Sequence, residues 1–379
     1  MVLYQLSHVR VDIDTRSAPG TLQPTSLDCP AMPTVRVLSE RELNRAVLAR
    51  QLLLDRAPVT IPRALERMCG LQDQYAPSGY IGLWTRVAGF RRDDLTRALE
   101  RKTVIQATLV RATIHLVSKR DFWPFAMAID EPLHDWWFRA TKRRDQERHL
   151  RAIDRRARAL LASGPRRRKE IVAELSLKPE DAAAIGLWTP TVRIPPSGTW
   201  EQRRADLYGN AEDWIGPPTS TVAEEGREHL IRRYLAAFGP ATRADIASFT
   251  GLPRKIVEAV TGRLPLRALA TESGDALLDV RGGALPPGDA PAPVRFLPTW
   301  DATLLVHARR TQILPERYRS QIFSTKTPQS VGTFLVDGQV AGTWRFEEGR
   351  VTTSSFEPLP PQLRRQVADE AAALAVFHA

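Results

Sequence analysis

Gly164-Pro165-Arg166-Arg167-Arg168-Lys169-Glu170-Ile171 returns in altered form as Gly239-Pro240-Ala241-Thr242-Arg243-Ala244-Asp245-Ile246. Both stretches fit the pattern Gly-Pro-x-x-Arg-x-acid-Ile. Each follows an amphipathic segment with apolar residues at helical spacing, residues 150–161 before the first and residues 229–238 before the second. Each is followed by a second short helical segment and then by strand-like runs. Such self-similarity indicates that one structural unit has been duplicated.

The order of elements in this unit, helix, turn, helix, helix and hairpin, is that of a winged helix. Residues 36–143 show the same order with little matching sequence. There, a capping box of Ser39 and Glu42 opens a helix, and β-rich runs at residues 104–110 and 113–117 predict a hairpin. We therefore expect three winged-helix units, over residues 36–143, 144–221 and 222–283.

Further local signals complete the expected first unit. Pro62 suits the first turn of a second helix, and residues 93–101 predict another. Ser118 with Asp121 reads as a second capping box. Residues 72–79 are interpreted as a loop.

The two ends of the chain differ from these units. Residues 284–379 form a β-rich region in which Asp337-Gly338 joins two alternating runs, a strong hairpin signal, and a helix over about residues 360–377 closes the chain. Residues 1–35 are interpreted as a disordered tail or a mis-assigned start. The expected fold class is mainly α with β-hairpin wings (α+β).

The composition points to a polyanionic partner. The chain has 54 Lys+Arg against 43 Asp+Glu, a formal net charge of +11. Arginine forks suit phosphate oxygens, although a GC-rich genome would also favour arginine codons. The two cysteines, Cys29 and Cys69, form no CxxC pair, and no apolar run reaches the roughly 20 residues of a membrane helix. We expect a cytoplasmic, nucleoid-associated protein.

The familiar catalytic signatures, including phosphate-binding loops, nucleophile elbows and zinc motifs, are absent from the sequence. The seven histidines are scattered, so we expect no metal and no cofactor. Gln72 and Gln74 are the best catalytic candidates. In an extended segment they would point to the same side, where two carboxamides could hold a water and favour positive charge that develops on a sugar. Alternatively, the two side chains only form hydrogen bonds with main-chain groups of the loop.

The segment Arg193-Ile194-Pro195-Pro196-Ser197-Gly198-Thr199-Trp200 falls where the wing of the middle unit is expected. Its hydroxyls and a glycine amide suit phosphate contacts, and nearby arginines would add charge. The alternative is a rigid Pro-Pro turn with Trp200 packed as an anchor. The DNA-contacting candidates of this region are Arg193, Ser197, Gly198, Thr199, Arg203 and Arg204.

Taken together, these motifs resemble the bacterial winged-helix proteins that include the AlkZ and YcaQ DNA glycosylases. The resemblance runs from about residue 36 to the C-terminus. Besides the wing segment and residues 239–246, it is carried by Gly70-Leu71-Gln72-Asp73-Gln74, Tyr80-Ile81-Gly82-Leu83-Trp84, Arg111-Ala112-Thr113-Ile114-His115-Leu116-Val117 and Gly342-Thr343-Trp344.

The resemblance implies a C-shaped array of winged helices around duplex DNA, with alkylated or crosslinked purines as substrate. Gln72 and Gln74 match the catalytic Gln-x-Gln pair of AlkZ-type members, whereas YcaQ-type members carry Gln-x-Asp. The middle residue is often apolar or small in the family, so Asp73 departs from the pattern and either acts as an extra base or faces solvent. Further DNA contacts are expected from Arg111, Thr113, His115 and Arg243.

The expected reaction is hydrolysis of the N-glycosidic bond by a monomeric, monofunctional enzyme. An N7-alkylated guanine is already a good leaving group, and no lysine lies near the motif to attack as an amine, which predicts water as the nucleophile. Crosslink unhooking would suit an open concave site better than a tight pocket, because a crosslinked base cannot be flipped fully out of the helix. The enzyme would serve either general repair or protection of a producer from its own genotoxin. The rival interpretations are a non-enzymatic winged-helix regulator or resistance protein, favoured by fold alone, and a binder of single strands or RNA.

Overall fold

The computed structural model describes residues 35–182, 185–187, 189–305, 311–323 and 331–379. The prediction of a tail or mis-assigned start, and Cys29 with it, falls almost wholly on residues outside these ranges. Within them the fold is a mixed α+β structure of helices and small sheets, which confirms the expected fold class.

The region up to the middle of the chain contains the first hairpin and the long helix after it. Its elements are β1 Val37–Leu38, α1 Glu40–Arg50, α2 Ile61–Met68, β2 Leu71–Gln72, α3 Ala76–Trp84, α4 Arg92–Glu100, β3 Val104–Thr108, β4 Ile114–Ser118 and α5 Lys119–Thr141.

The two sequence repeats lie in the elements that follow. These are α6 Glu147–Ala162, β5 Arg166–Arg167, α7 Arg168–Glu174, α8 Pro179–Ala182, β6 Thr191–Arg193, β7 Leu207–Asn210, α9 Ala211–Ile215, α10 Ala223–Phe238, α11 Arg243–Thr250, α12 Arg254–Arg263, β8 Leu266–Thr271 and β9 Ala276–Val280.

The C-terminal region is a sheet closed by a helix, as expected. It comprises β10 Arg295–Leu297, α13 Ala302–Leu305, α14 Arg319–Ile322, β11 Gly332–Val336, β12 Gln339–Glu347, β13 Arg350–Ser355 and α15 Pro361–His378. Asp337 and Gly338 both have positive φ, 45° and 79°, and they join β11 to β12 in the hairpin that this dipeptide predicts.

The helix signals are confirmed at one capping box and corrected at the other. The Ser39 hydroxyl accepts a hydrogen bond from Glu42 N, and the Glu42 carboxylate accepts one from Ser39 N at 2.9 Å. Ser118 likewise caps α5 by accepting from Asp121 N. The second bond of the predicted capping box, from Ser118 N to the Asp121 carboxylate, is wrong. That carboxylate instead binds His229 and Arg233 of α10.

The interpretation of residues 72–79 as one loop is also wrong. Residues 71–72 form β2, and α3 begins at Ala76. Proline is tolerated in the first turn of a helix, where Pro77 lies. Gly79 lets the helix approach β4 closely, since a Cβ there would lie 2.5 Å from the Leu116 side chain.

One six-stranded sheet, in the order β2-β4-β3-β6-β7-β5, positions the candidate site. Ala107 of β3 pairs with Val192 of β6, so strands from the first two expected units share one sheet. The boundaries proposed for the units remain predictions. A second sheet has the order β1-β8-β9 and a third β10-β11-β12-β13.

The two faces of the six-stranded sheet pack against different cores. Ala107 and Val192 belong to the larger core, together with α5 and α10. Leu71 and Leu116 belong to a second core with Tyr80, Trp200 and the C-terminal sheet and helix. Among the helices of the described residues, none is both long and apolar enough to cross a membrane.

Candidate active site and nucleic-acid interface

Strand β2 carries the first candidate catalytic residue at the edge of the six-stranded sheet. Leu71 pairs with Leu116 and Gln72 with His115, and the main chain continues the ladder through Asp73 N, which donates to Ile114 O at 2.7 Å. Because side chains alternate along a strand, Gln72 and Asp73 point to opposite faces. Gln74 lies beyond the end of β2, so a shared side for Gln72 and Gln74 remains a prediction.

The Gln72 carboxamide is fixed by an arginine from the turn between β3 and β4. Its Oε1 accepts a hydrogen bond from Arg111 Nη2 at 3.1 Å. Arg111 has φ 57°, and it also donates from Nη1 to the main-chain oxygen of Phe249 and lies 5.0 Å from the centre of that ring. Burial lowers the pKa of Arg111 to about 10. Gln72 is thus held between the first hairpin and α11.

The Gln74 carboxamide is fixed by the main chain. Its Oε1 accepts from Ile114 N at 3.1 Å, and the side chain is half-buried. A carbonyl oxygen has two lone pairs, and the bonds from Arg111 and from Ile114 N occupy one on each glutamine. Gln72 itself is 8% exposed. Within the described residues, neither Nε2 group of Gln72 and Gln74 hydrogen-bonds to protein. The two carboxamides are oriented and still have free hydrogen-bonding capacity.

Asp73 does not face solvent, which rules out one of the two roles considered for it. The residue is 2% exposed, and its carboxylate accepts from Gly79 N at 2.9 Å and from Gln106 Nε2. The first bond ties it to the first turn of α3, where a negative charge suits the helix dipole. Burial nevertheless raises the pKa of Asp73 to about 7.

Gln106 is a residue that sequence reasoning missed. Its Nε2 donates to Asp73 and, at 3.2 Å, to the main-chain oxygen of Gly198 in the wing segment. Gln106 Oε1 is buried and has no partner among the described residues. Gly198 has φ 79°, and a Cβ on it would lie 2.1 Å from that oxygen. The pair therefore connects the Gln-x-Gln segment to the wing.

His115 lies directly across the ladder from Gln72 and is buried. Its Nδ1 lies 3.0 Å from the main-chain oxygen of Thr113. Burial, helped by the charge of Arg111, lowers the pKa of His115 to about 3, so the ring is neutral at pH 7. The half-buried Thr113 donates its hydroxyl to Val110 O.

Three polar side chains of the expected DNA-binding wing are buried and bonded within the protein. Arg193 donates to Thr108 Oγ1 at 2.9 Å and stacks on Tyr208. Ser197 Oγ donates to Arg204 O at 2.7 Å. Thr199 Oγ1 donates to Pro196 O, and Trp200 is packed in the second core. These contacts favour the alternative of a rigid turn with a tryptophan anchor, and DNA contact by these residues remains only a prediction.

The remaining arginines predicted to contact DNA are exposed. Arg203 donates from Nη1 to Tyr75 Oη at 3.0 Å, close to the Gln-x-Gln segment. Arg204 pairs with Asp206 at 2.9 Å. Arg243, at the start of α11, donates to Thr261 Oγ1. Their guanidinium groups are accessible to phosphate.

No metal-binding cluster accompanies the glutamine pair. Across the ranges that the structure describes, no group of three His, Cys, Asp or Glu residues is arranged to hold an ion. Cys69, at the end of α2, is a buried free thiol, and burial raises the pKa of Cys69 above its ordinary range.

Comparisons with known proteins identify a family and a similar solved structure. A family model described as "DNA glycosylase AlkZ-like" matches residues 65–377. The structure of Streptomyces sahachiroi DNA glycosylase AlkZ is similar, with a TM-score of 0.76 and 18% sequence identity over 90% of this chain and 97% of that chain. At that identity the structural likeness shows the fold. No curated protein matches the chain.

Proposed function

The chain belongs to the AlkZ-like family of DNA glycosylases, and from that premise we propose that it hydrolyses the N-glycosidic bond of alkylated purines in duplex DNA. One observation carries the proposal. The Oε1 atoms of Gln72 and Gln74 are fixed by Arg111 and by Ile114 N, respectively, on adjoining parts of the same sheet edge. Two oriented carboxamides are what this reaction needs.

The leaving group makes little demand on the protein. An N7-alkylated purine carries a positive charge before the bond breaks, so it departs without protonation. The enzyme has to stabilise the cationic sugar and supply water. Dipoles that are already aligned when charge develops contribute most to such a step.

We assign both tasks to the glutamine pair. The free lone pairs of Gln72 and Gln74 face a sugar that becomes cationic and accept hydrogen bonds from the attacking water. Oxygen of that water bonds to C1′ as the bond to the base nitrogen breaks. The electron pair leaves with the base, and the proton that the water loses passes to the solvent. The Arg111 and Ile114 donors fix the orientation of the two carbonyls, which avoids reorganisation during the reaction.

The proposed enzyme is monofunctional. Strand cleavage by a glycosylase needs an amine nucleophile, which forms an imine with the sugar. In the described part of the chain, none of the contacts of Gln72 and Gln74 involves a lysine. Because Gln74 is only half-buried at a sheet edge, we extend the substrate class to crosslinked purines. We also propose that the enzyme acts as a monomer, in general repair or in resistance to a genotoxin.

Base release tests this proposal. The substrate is a duplex with a single N7-methylguanine, and the control is its spontaneous depurination in the same buffer. We expect abasic sites above the control, with strand breaks appearing only after alkaline treatment. Breaks without alkali would contradict the monofunctional assignment. A duplex with an N7-to-N7 guanine crosslink then tests unhooking.

A further inference from the structure

A cavity of about 400 Å³ lies beside the first turn of α3, and several aromatic rings line it. Trp200 and Trp344 are buried in its wall. Tyr75 and Phe346 also line it, and they are 45% and 36% exposed. The cavity therefore combines fixed indole rings with two rings that a ligand can reach.

One of these rings belongs to a platform that is already assembled. Phe346 stacks on His378, with ring centres 4.0 Å apart and planes 16° from parallel. Burial lowers the pKa of His378 to about 4, so the platform is uncharged at pH 7. A flat π surface of this kind receives any nucleobase, because every base has a π face.

Two exposed cationic side chains line the cavity. Arg203 and Arg345 both line it and are exposed, and neither pairs with a carboxylate in the part of the chain that the structure describes. Among the lining residues that the structure describes, Glu347 is the only acidic one. Two exposed guanidinium groups beside aromatic rings are suited to a phosphate attached to a base. Arg203 also donates to Tyr75 Oη at 3.0 Å, which holds it next to one of those rings.

The cavity is separate from the glutamine pair but close to it in the chain. Tyr75 follows Gln74 directly. Trp200 packs with Leu71 and Leu116 in the second core, on the face of the sheet opposite to the Gln72 side chain. A nucleotide in the cavity would thus lie near the lesion without occupying the position of the bond that is cleaved.

We propose that this cavity binds one unpaired deoxynucleotide of the DNA substrate, with its base against Tyr75 and Phe346 and its phosphate on Arg203 and Arg345. The inference rests on the proposed function only in taking DNA as the ligand. The base of this nucleotide has lost its pairing partner on the other strand near the lesion. Capture of this nucleotide would hold the duplex open while the glutamine pair acts.

Binding to undamaged DNA tests the inference apart from catalysis. One probe is a duplex of about 25 base pairs with a single extrahelical thymidine, and the other is the same duplex fully paired. Anisotropy is measured at one fixed salt concentration, because phosphate contacts make affinity depend on salt. We expect the wild type to bind the bulged duplex about tenfold more tightly, the scale of one base–aromatic stack.

Substitutions of Phe346 separate the effect of ring stacking from the effect of side-chain size. Phe346→Leu keeps an apolar side chain without a π face, and we expect it to bind both duplexes equally while its affinity for paired DNA stays the same. Phe346→Tyr should keep the preference. Val376→Ala, a truncation on α15 at a residue that is 77% exposed and outside the cavity lining, is the control.

The outcomes are distinct from those of the glycosylase assay. Equal binding of the two duplexes by wild type, or a preference that survives in Phe346→Leu, would overturn the nucleotide site and leave the glycosylase proposal intact. Failure to bind either duplex would contradict both proposals. Base release without any preference for the bulge would overturn the cavity inference alone.

Discussion

Arg111 Nη2 donates a hydrogen bond to Gln72 Oε1 at 3.1 Å, while Nη1 of the same guanidinium group donates to the main-chain oxygen of Phe249. A side chain from the first hairpin therefore fixes a candidate catalytic amide and at the same time reaches α11. The geometry depends on a planar fork with separate donors, which lysine lacks.

Replacement of Arg111 should accordingly impair the chemical step. We expect Arg111→Lys to lower the single-turnover rate of base release on the order of 10- to 100-fold, because a small misplacement of a reacting group has effects of that size. Single-turnover rates at saturating enzyme and the dissociation constant for DNA separate the two roles of the residue. A loss confined to DNA affinity would show that Arg111 contacts phosphate and does not position Gln72.

The buried Asp73 carboxyl should leave a pH signature in stability. Its pKa is raised to about 7 in the folded protein from an ordinary 3.8, so the folded state binds this proton more tightly than the unfolded state does. The resulting stabilisation is complete below pH 4 and is lost as the pH rises towards 7. Over that window the slope reaches about 1.4 kcal/mol per pH unit.

The measurement is urea unfolding at several pH values for wild type and Asp73→Asn. The free energy of unfolding of wild type relative to the variant should fall between pH 4 and pH 7 and stay level above it. A difference independent of pH would show that Asp73 titrates normally. The variant also loses one hydrogen bond, since an amide nitrogen cannot accept from Gln106 Nε2.

Titration of His115 should change the stability of the protein with pH in the direction opposite to that of Asp73. Its pKa is lowered to about 3 from 6.5, so the unfolded state binds the proton first, and stability falls as the pH drops from about 6.5 towards 3. His115→Gln should remove this loss in the same unfolding series. If wild type and variant lose stability in parallel on acidification, the ring is not held neutral. Because the windows of His115 and Asp73 overlap, each variant is compared with wild type at every pH.

Gly198 should be intolerant of a side chain. In Gly198→Ala, the new Cβ would lie 2.1 Å from Gln106 Oε1, and the backbone would keep the left-handed φ of 79°. Gly349→Ala is the matched control, because Gly349 has φ 76° and nothing within 4 Å of its Cβ position. We expect about 1 kcal/mol of destabilisation for the control and about 1–3 kcal/mol more for Gly198→Ala. Equal effects in denaturant unfolding would mean that Gln106 moves away freely.

Elements marked by local signals were predictable from the sequence. The capping box of Ser39, the first hairpin and the Asp337-Gly338 turn all depend on residues within a few positions of one another. Helix α3 was missed because Ser78, Gly79 and Gly82 are poor helix formers. It forms because these small residues allow close packing on the sheet and because Asp73 accepts from Gly79 N.

The candidate site was predictable only in part. Gln72 and Gln74 were found from two carboxamides at a spacing of two and from the family resemblance. The bonds from Gln106 to Asp73 and Gly198 span 33 and 92 residues, a separation over which one sequence carries no pairing signal. Ser197 and Thr199 are of types that contact phosphate, but the same hydroxyls satisfy the buried main chain of a tight turn.

The most direct test of the account is single-turnover base release from the N7-methylguanine duplex by Gln72→Ala and Gln74→Ala, with DNA affinity measured alongside. Each substitution should lower the rate at least about 100-fold, the scale on which one aligned dipole contributes, while the dissociation constant for DNA changes little. Wild-type rates in both variants would contradict the assignment of catalysis to the glutamine pair. Absence of release by a folded wild-type protein that binds DNA, on both the methylated and the crosslinked duplex, would contradict the proposed activity and favour a DNA-binding regulator.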